Sequence, residues 1–498
     1  MKGLPILTGI WARLGLALFS GMLMPLSFAP FDVWPSGIAS IALLLIAIHE
    51  GTIKQVVLCH YVFAVALFAV GTSWLYVSIY TFGGASIGLA VILVMLFVIF
   101  WSLSFLPQAW LYARFIRQWR FQVVLGFPII WVLGEWLRGW LLTGFPWFYL
   151  GYSHLHSPLA SFAPVAGVLA VSFAACLLAS LLFSFLVKRQ KRFALLGMAV
   201  ILLAVGAAEL EFVTTGNSIQ VAAVQGNIDQ HSKWQRNMAM PIVNHYSKLT
   251  EPVWGADLIV WPEAAITLLR GDAHWLLAQL KALSEAWGST LLTGIPDLNQ
   301  DGRYLNSAVV VGETPGQYIK QQLVPFGEYV PFEDYLRGLI TLFDLPMSRN
   351  VAGGSEQKPL MAGDIRLSVS ICYDVVFPEL VRGNVSDPGL MVTISNDTWF
   401  GNSFGPDQHM QIASMRALEN GRYLLRVTNN GITALVDYKG QIVQQLQRDR
   451  AAVLSAEVPI MHGLTPYHQY GQAPFLIALG LLLTGLWLSS RQENHRKP

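Results

Sequence analysis

The chain has 498 residues, of which 54% are hydrophobic and only 12% charged, with a mean hydropathy of +0.48. Soluble domains carry about 25% charged residues, so half that share argues against an ordinary soluble globular protein, and the aromatic content excludes a disordered one. A formal net charge of +2 supplies no global field that would gather nucleic acid.

Apolar stretches fall at 12–28, 37–48, 55–78, 86–113, 122–142, 159–187 and 193–208, and an eighth follows at 474–490. Several match the roughly 20 residues that cross a bilayer, which predicts a polytopic α-helical membrane protein of about eight transmembrane helices. The first stretch lacks a small-x-small cleavage site and reads as a retained anchor. In the fifth, Glu135 and Arg138 stand at i and i+3, where they can pair on one helix face. Basic residues mark alternate connections: Lys2 and Arg13, then Lys54, then Arg114, Arg117 and Arg120, then Lys188, Arg189, Lys191 and Arg192, and last Arg491, Arg496 and Lys497. By the positive-inside rule both termini are cytoplasmic, and seven crossings carry the soluble part to the opposite face, the periplasm in a bacterium. The expected organisation is a seven-helix membrane region over 1–213, a soluble domain over 218–458 and a final helix over 474–490.

The soluble part alternates strands and helices. Short β-branched runs predict buried strands at Ile219–Val224, Leu258–Trp261, Thr290–Thr293, Ala308–Val311, Leu367–Ile371 and Leu390–Ile394. Helices are expected over Asp272–Trp287 and Asp407–Asn420, each opened by an Asp suited to the N-cap, the second closed by Gly421. This is an α/β layered domain. The stretch 341–356, with Leu342, Phe343, Leu345 and Met347, lacks periodicity and is expected to form a partly apolar lid.

Three cysteines are too few for a disulfide framework. Cys59 and Cys176 lie inside apolar runs and read as small buried hydrophobes. Cys372 alone lies outside them, directly after a strand-like run. Glu263, in Trp261-Pro262-Glu263, and Lys320 also sit on or just after strand-like runs, and strand ends are where α/β folds collect reactive groups. A thiol is mostly protonated at neutral pH, so Glu263 can take its proton as Cys372 attacks a carbonyl, while Lys320 faces the developing oxyanion. Glu328 can orient Lys320. Asp374, two residues past Cys372, would share its face on a strand. Trp234, Tyr373 and Trp399 are candidates to line the substrate site, with Asn306 a further polar candidate just before a strand-like run. The eleven histidines show no pair at metal-ligand spacing, and Gly83-Gly84 and Gly353-Gly354 lack a phosphate-loop context, so no metal or nucleotide cofactor is expected.

The segments Trp261-Pro262-Glu263, Tyr318-Ile319-Lys320 leading into Leu323-Val324-Pro325-Phe326-Gly327-Glu328, and Cys372-Tyr373-Asp374 resemble the three catalytic motifs of the nitrilase superfamily. The resemblance is closer still to that superfamily's membrane branch, the apolipoprotein N-acyltransferases. It extends to Val224-Gln225-Gly226-Asn227 with Trp234, to Asn396-Asp397-Thr398-Trp399-Phe400-Gly401, to Arg416–Arg422 with Thr428-Asn429-Asn430-Gly431, and to Gly134–Gly139 with Thr143–Trp147 in the membrane region. It implies an αββα sandwich inserted between membrane helices and a Glu263–Lys320–Cys372 triad supported by Glu328, Tyr373 and Asp374. The family usually has Glu where this chain has Asp374.

The implied reaction moves an acyl chain from a phospholipid, typically phosphatidylethanolamine, through a Cys372 thioester to the amine of a diacylglyceryl-cysteine on an apolipoprotein. A monomer in the bacterial inner membrane, acting without a cofactor, is the expected state. The triad alone would equally serve a membrane-tethered amidohydrolase that passes the acyl group to water.

Overall fold

A computed structural model describes residues 9–119, 121–331 and 349–495. Lys2, Arg120, Arg496, Lys497 and the first half of the expected lid, 341–348, with Leu342, Phe343, Leu345 and Met347, lie outside them. The described chain divides into two compact units, one including Ser86–Glu211 and the flanking terminal helices, the other comprising Val77–Ala85 and Phe212–Thr465.

In the first unit, five helical stretches are long and apolar enough to cross a membrane: Ile10–Ser27, Ile53–Gly71, Ile87–Gln118, Val168–Lys188 and Ala473–Gln492. The other three apolar stretches fall short of that length. Trp34–Ile48 is a helix of 15 residues and Lys191–Ala207 one of 17. The stretch 122–142 divides into a π-helical turn, Gln122–Gly126, and a helix Phe127–Arg138 of 12 residues. At 1.5 Å per residue that helix advances about 18 Å, against roughly 30 Å of hydrocarbon. The π-helical turn runs directly into this helix, which Gly139 follows at its end. Glu135 and Arg138 are both buried and their charges act on each other, and both also reach the loop that follows the helix. Glu135 accepts from the Trp131 indole and the Leu150 N–H, at 2.9 and 2.8 Å. Arg138 donates to the carbonyls of Trp147 and Phe148 and lies over the rings of Phe68, Phe105 and Tyr149.

The second unit is built on two six-stranded sheets. One has the order β12-β1-β2-β3-β4-β5, from β1 (Thr214–Gln225), β2 (Leu258–Val260), β3 (Thr290–Leu298), β4 (Tyr304–Val311), β5 (Gly316–Ile319) and β12 (Ala452–His462). The other has the order β11-β10-β9-β8-β7-β6, from β6 (Leu360–Ala362), β7 (Ile365–Ile371), β8 (Leu390–Ser395), β9 (Leu424–Thr428), β10 (Ala434–Val436) and β11 (Ile442–Gln445). The strands β1, β2 and β3 run parallel, as do β7, β8 and β9.

Side-chain alternation explains the layering. In β1, Val221 and Ala223 face the core between the sheets, with Leu258, Val260, Val369, Ile371, Val392 and Val427. Ala222 and Val224 point the other way, onto Ile242, Val243 and Tyr246 of the helix Ala239–Thr250 and Leu276 and Leu280 of the helix His274–Trp287. The helices Pro378–Asn384 and Gly405–Asn420 pack against the second sheet. The six predicted strands lie within or largely overlap β1, β2, β3, β4, β7 and β8. The two predicted N-caps are corrected: the helices begin at His274 and Gly405, with Ala273 and Phe404 as caps. Asp407 instead lies in the first turn, where its charge suits the helix dipole. Gly421 closes its helix as expected, with φ +61°.

Candidate active site

Three strand ends supply the central groups. Beyond β2 the chain turns at Trp261, whose ring stacks on Tyr246 at 5.2 Å and whose indole donates to Thr250 at 2.9 Å. This anchor leads straight into Glu263, which is 8% exposed. Room for the turn comes from Gly294 on β3: a Cβ there would lie 2.7 Å from the Glu263 Cα. One Glu263 oxygen accepts from the Asn306 amide at 2.7 Å, the other from the Asn396 N–H at 2.8 Å.

Lys320 follows β5 and is buried. Its ammonium lies 2.8 Å from Glu328 and 3.7 Å from Glu263. Burial disfavours its charge, but Glu328, Cys372 and Glu263 outweigh that and hold it protonated, above its ordinary value. Asn306 on β4 ties the two carboxylates together. Its side-chain amide donates to both Glu263 and Glu328, the latter at 3.1 Å, and its main-chain carbonyl accepts from the Lys320 main-chain N–H at 2.9 Å. The donors of Asn306 are thus taken up in positioning those carboxylates.

Cys372 follows β7 and adopts φ +50°, a left-handed conformation that costs a non-glycine residue about 1–3 kcal/mol. Hydrogen bonds hold it there. Asp374 accepts from the Ile371 N–H at 3.1 Å and the Tyr318 hydroxyl at 3.0 Å with one oxygen, and from the Gln321 and Gln322 N–H groups at 3.1 and 2.7 Å with the other. It ties the cysteine turn to the chain beyond Lys320. Burial pushes its carboxyl up to about 6, against Lys320 and those donors. Behind the turn, Arg426 donates to His409 Nδ1 at 3.0 Å and to Asp397 at 2.8 Å. The histidine Nε2 donates to the Cys372 carbonyl at 3.2 Å, while Nδ1 also lies 3.3 Å from Asp397. Burial and Arg426 favour the neutral ring, with Asp397 opposing.

The Cys372 residue keeps some exposure, while its thiol is pushed up to about 12 by burial and by Glu263, with Lys320 opposing. Glu263 and Lys320 therefore both act on the sulfur electrostatically. At neutral pH the thiol is protonated, and a nucleophile must be made by removing that proton during attack. Tyr373 is half-buried with its ring edge-on to Phe377 at 5.1 Å. Trp234 is 40% exposed beneath the Lys233 ammonium, 5.9 Å from its ring centre. The Trp399 ring meets Phe82 edge-on at 5.8 Å, and its carbonyl accepts from the Ser78 hydroxyl at 2.7 Å.

Residues 20–181 match the family "Apolipoprotein N-acyltransferase N-terminal domain" and residues 220–462 match "Carbon-nitrogen hydrolase". An apolipoprotein N-acyltransferase of Azotobacter vinelandii is 43% identical, over 98% of this chain and 97% of its own. Proteins of the same name are 42% identical in Pseudomonas aeruginosa (96% and 95% covered) and 38% in Vibrio parahaemolyticus (96% and 97%). The chain belongs to the apolipoprotein N-acyltransferase family. A solved amidase from Nesterenkonia sp. is similar over 53% of this chain and 97% of its own, at 20% identity and a TM-score of 0.36.

Two asparagines, Asn396 and Asn429, scaffold the site. Besides the Asn396 N–H on Glu263, the Asn396 amide donates to Gln230 at 2.8 Å. Asn429 exchanges hydrogen bonds with both the N–H and the carbonyl of Ile228, at 2.9 and 2.7 Å. Lys233, His409 and Arg426 were not legible as site residues from the sequence. A lone Lys in a polar stretch, a lone His on a helix or a lone Arg in a strand names no partner until the fold buries it.

Proposed function

We propose that the chain is an acyltransferase that N-acylates apolipoproteins in two half-reactions, with a phospholipid as donor. Cys372 attacks an ester carbonyl carbon, its thiol proton passing to Glu263 as the C–S bond forms. The Lys320 ammonium stabilises the tetrahedral oxyanion. Collapse expels a lysophospholipid alkoxide, which takes the proton back from Glu263 and leaves a thioester on Cys372. The amine of a diacylglyceryl-cysteine then attacks that thioester, Glu263 accepts its proton, and the sulfur leaves as thiolate to be reprotonated. The observation that carries the reading is the electrostatic cluster of Glu263, Lys320 and Cys372, drawn from the ends of β2, β5 and β7. Trp234, Tyr373 and Trp399 are proposed to border the acyl site, and phosphatidylethanolamine is the proposed donor.

Lipid substrates account for the membrane part. Each buried CH₂ contributes about 0.8 kcal/mol toward keeping a chain in the bilayer, so a site at the membrane avoids extraction. The basic connection around Lys188, Arg189, Lys191 and Arg192 supports cytoplasmic termini and a periplasmic catalytic domain spanning about 218–458, with the short helices supplementing the five long spans to about eight crossings. A monomer suffices, since one chain supplies all three central groups. The test is incubation of purified enzyme with phosphatidylethanolamine and a diacylated lipopeptide. Triacylated lipopeptide is the expected product; release of free fatty acid alone would assign an amidohydrolase-like hydrolysis instead.

A further inference from the structure

One charged group beside Glu263 has no part in the steps above. The single helical turn Gln230–Lys233, capped by Asp229 accepting from the Ser232 N–H at 3.0 Å, presents two side chains to the surroundings of Glu263. Gln230 accepts from the Asn396 amide, and it is the Asn396 N–H that holds one Glu263 oxygen. Lys233 is 1% exposed and its ammonium donates to the Glu263 main-chain carbonyl at 3.2 Å. Among the described residues that is its one hydrogen bond, although an ammonium has three donors. A buried cation in that condition costs free energy unless a nearby charge compensates it. Burial draws Lys233 down to about 8, and the charge of Glu263 is what opposes the fall.

The charges around Glu263 can be taken element by element. Lys320 and Glu328 come from the chain beyond β5, Cys372 and Asp374 from the turn beyond β7, Asp397 from the turn beyond β8, and Lys233 from the turn after β1. Lys320 divides its charge between two carboxylates, with Glu328 the nearer. Lys233 is coupled to Glu263 alone. Lys320 also feels Asp374, and Asp397 pairs with Arg426, so Lys233 is the cation whose charge falls on Glu263 and on no other carboxylate. Without it the Glu263 turn loses its ammonium anchor and the cluster loses one positive charge.

We propose that Lys233 is a positioning residue for acyl transfer: its ammonium, bound to the Glu263 main-chain carbonyl, fixes the turn that carries the Glu263 carboxylate and places a second buried positive charge beside it. The inference rests on Glu263 serving as the base in the proposed function.

The test is the rate of acyl loading onto Cys372 against pH, for the full-length enzyme in phosphatidylethanolamine vesicles. Lys233→Met and Lys233→Gln remove the charge, the second keeping a donor; Lys233→Arg keeps both. Either neutral variant is expected to move the acid limb of the profile to higher pH by about one unit, a tenfold loss of rate on that limb, with the lipid dependence unchanged. Lys233→Arg is expected to hold the limb at its wild-type position. A neutral variant that folds and keeps the wild-type limb overturns the role of Lys233, whatever its absolute rate. A wild-type enzyme that loads no acyl group at any pH instead overturns the function on which the inference rests.

Discussion

Cys372 is a weak acid where it sits, and that sets the division of labour around it. The thiol rises to about 12 through burial and the neighbouring carboxylates, above all Glu263. Glu263→Gln therefore has opposite effects on two measurements. Acyl transfer is expected to fall at least a hundredfold, within the usual contribution of a general base of about 10²–10⁴. Alkylation of Cys372 by iodoacetamide at pH 8 is expected to speed up, because one raising charge is gone; slower alkylation would contradict the assigned coupling. Lys320→Met leaves Glu328 buried without its cation and is expected to cost about 3–5 kcal/mol in stability, read by denaturant unfolding of the soluble unit's signal. Asp374 shows its own dependence. Its carboxyl is raised to about 6 in the folded protein, so its ionised form is disfavoured by burial and its contribution to stability increases as pH falls through 6 toward the ordinary carboxylate value of 3.8. Asp374→Ala orphans the Gln321, Gln322 and Ile371 N–H groups and is expected to cost about 3 kcal/mol or more at neutral pH, at about 1–3 kcal/mol per unsatisfied buried group.

The strand ends bring these residues together, and the sequence announced most of them. Leu258-Ile259-Val260 is an aliphatic run and Leu367–Ile371 alternates Leu, Val and Ile with Ser, both readable as strands, so Glu263 and Cys372 were legible as residues at strand ends. Lys320 was legible too, at the end of the short run Tyr318-Ile319, although β5 is only a four-residue strand that also carries Gly and Gln. The strand β11 is exposed along its whole length and offers no burial pattern. The approach of β3 to the Glu263 turn was invisible too, since a lone Gly in a strand-like run gives no partner. Gly294→Ala tests it. The added methyl displaces Pro262–Ala264, and activity is expected to fall tenfold or more while the sheet persists by circular dichroism; full activity would show that the turn yields without moving the carboxylate.

At the scale of the whole molecule, composition alone separated the apolar and α/β parts, but it did not show how the helix length is shared among the apolar stretches. Hydropathy does not register the π-helical turn that leaves a 12-residue helix in 122–142. Nor did it show that Val77–Ala85 belongs to the catalytic unit, where Phe82 stacks on His231 at 5.6 Å. Orientation is tested in a Cys372→Ser background. Lys439→Cys, at an exposed position in the soluble unit, is expected to react with a membrane-impermeant maleimide on spheroplasts, and Lys191→Cys only after permeabilisation. The reverse pattern would place catalysis inside the cell. The most direct measurement of all is intact mass spectrometry of enzyme mixed with phosphatidylethanolamine in the absence of acceptor. The account predicts one added acyl chain, mapped to Cys372, released by neutral hydroxylamine and discharged by a diacylated lipopeptide. Product formed at the normal rate while Cys372 never carries an acyl group would contradict it.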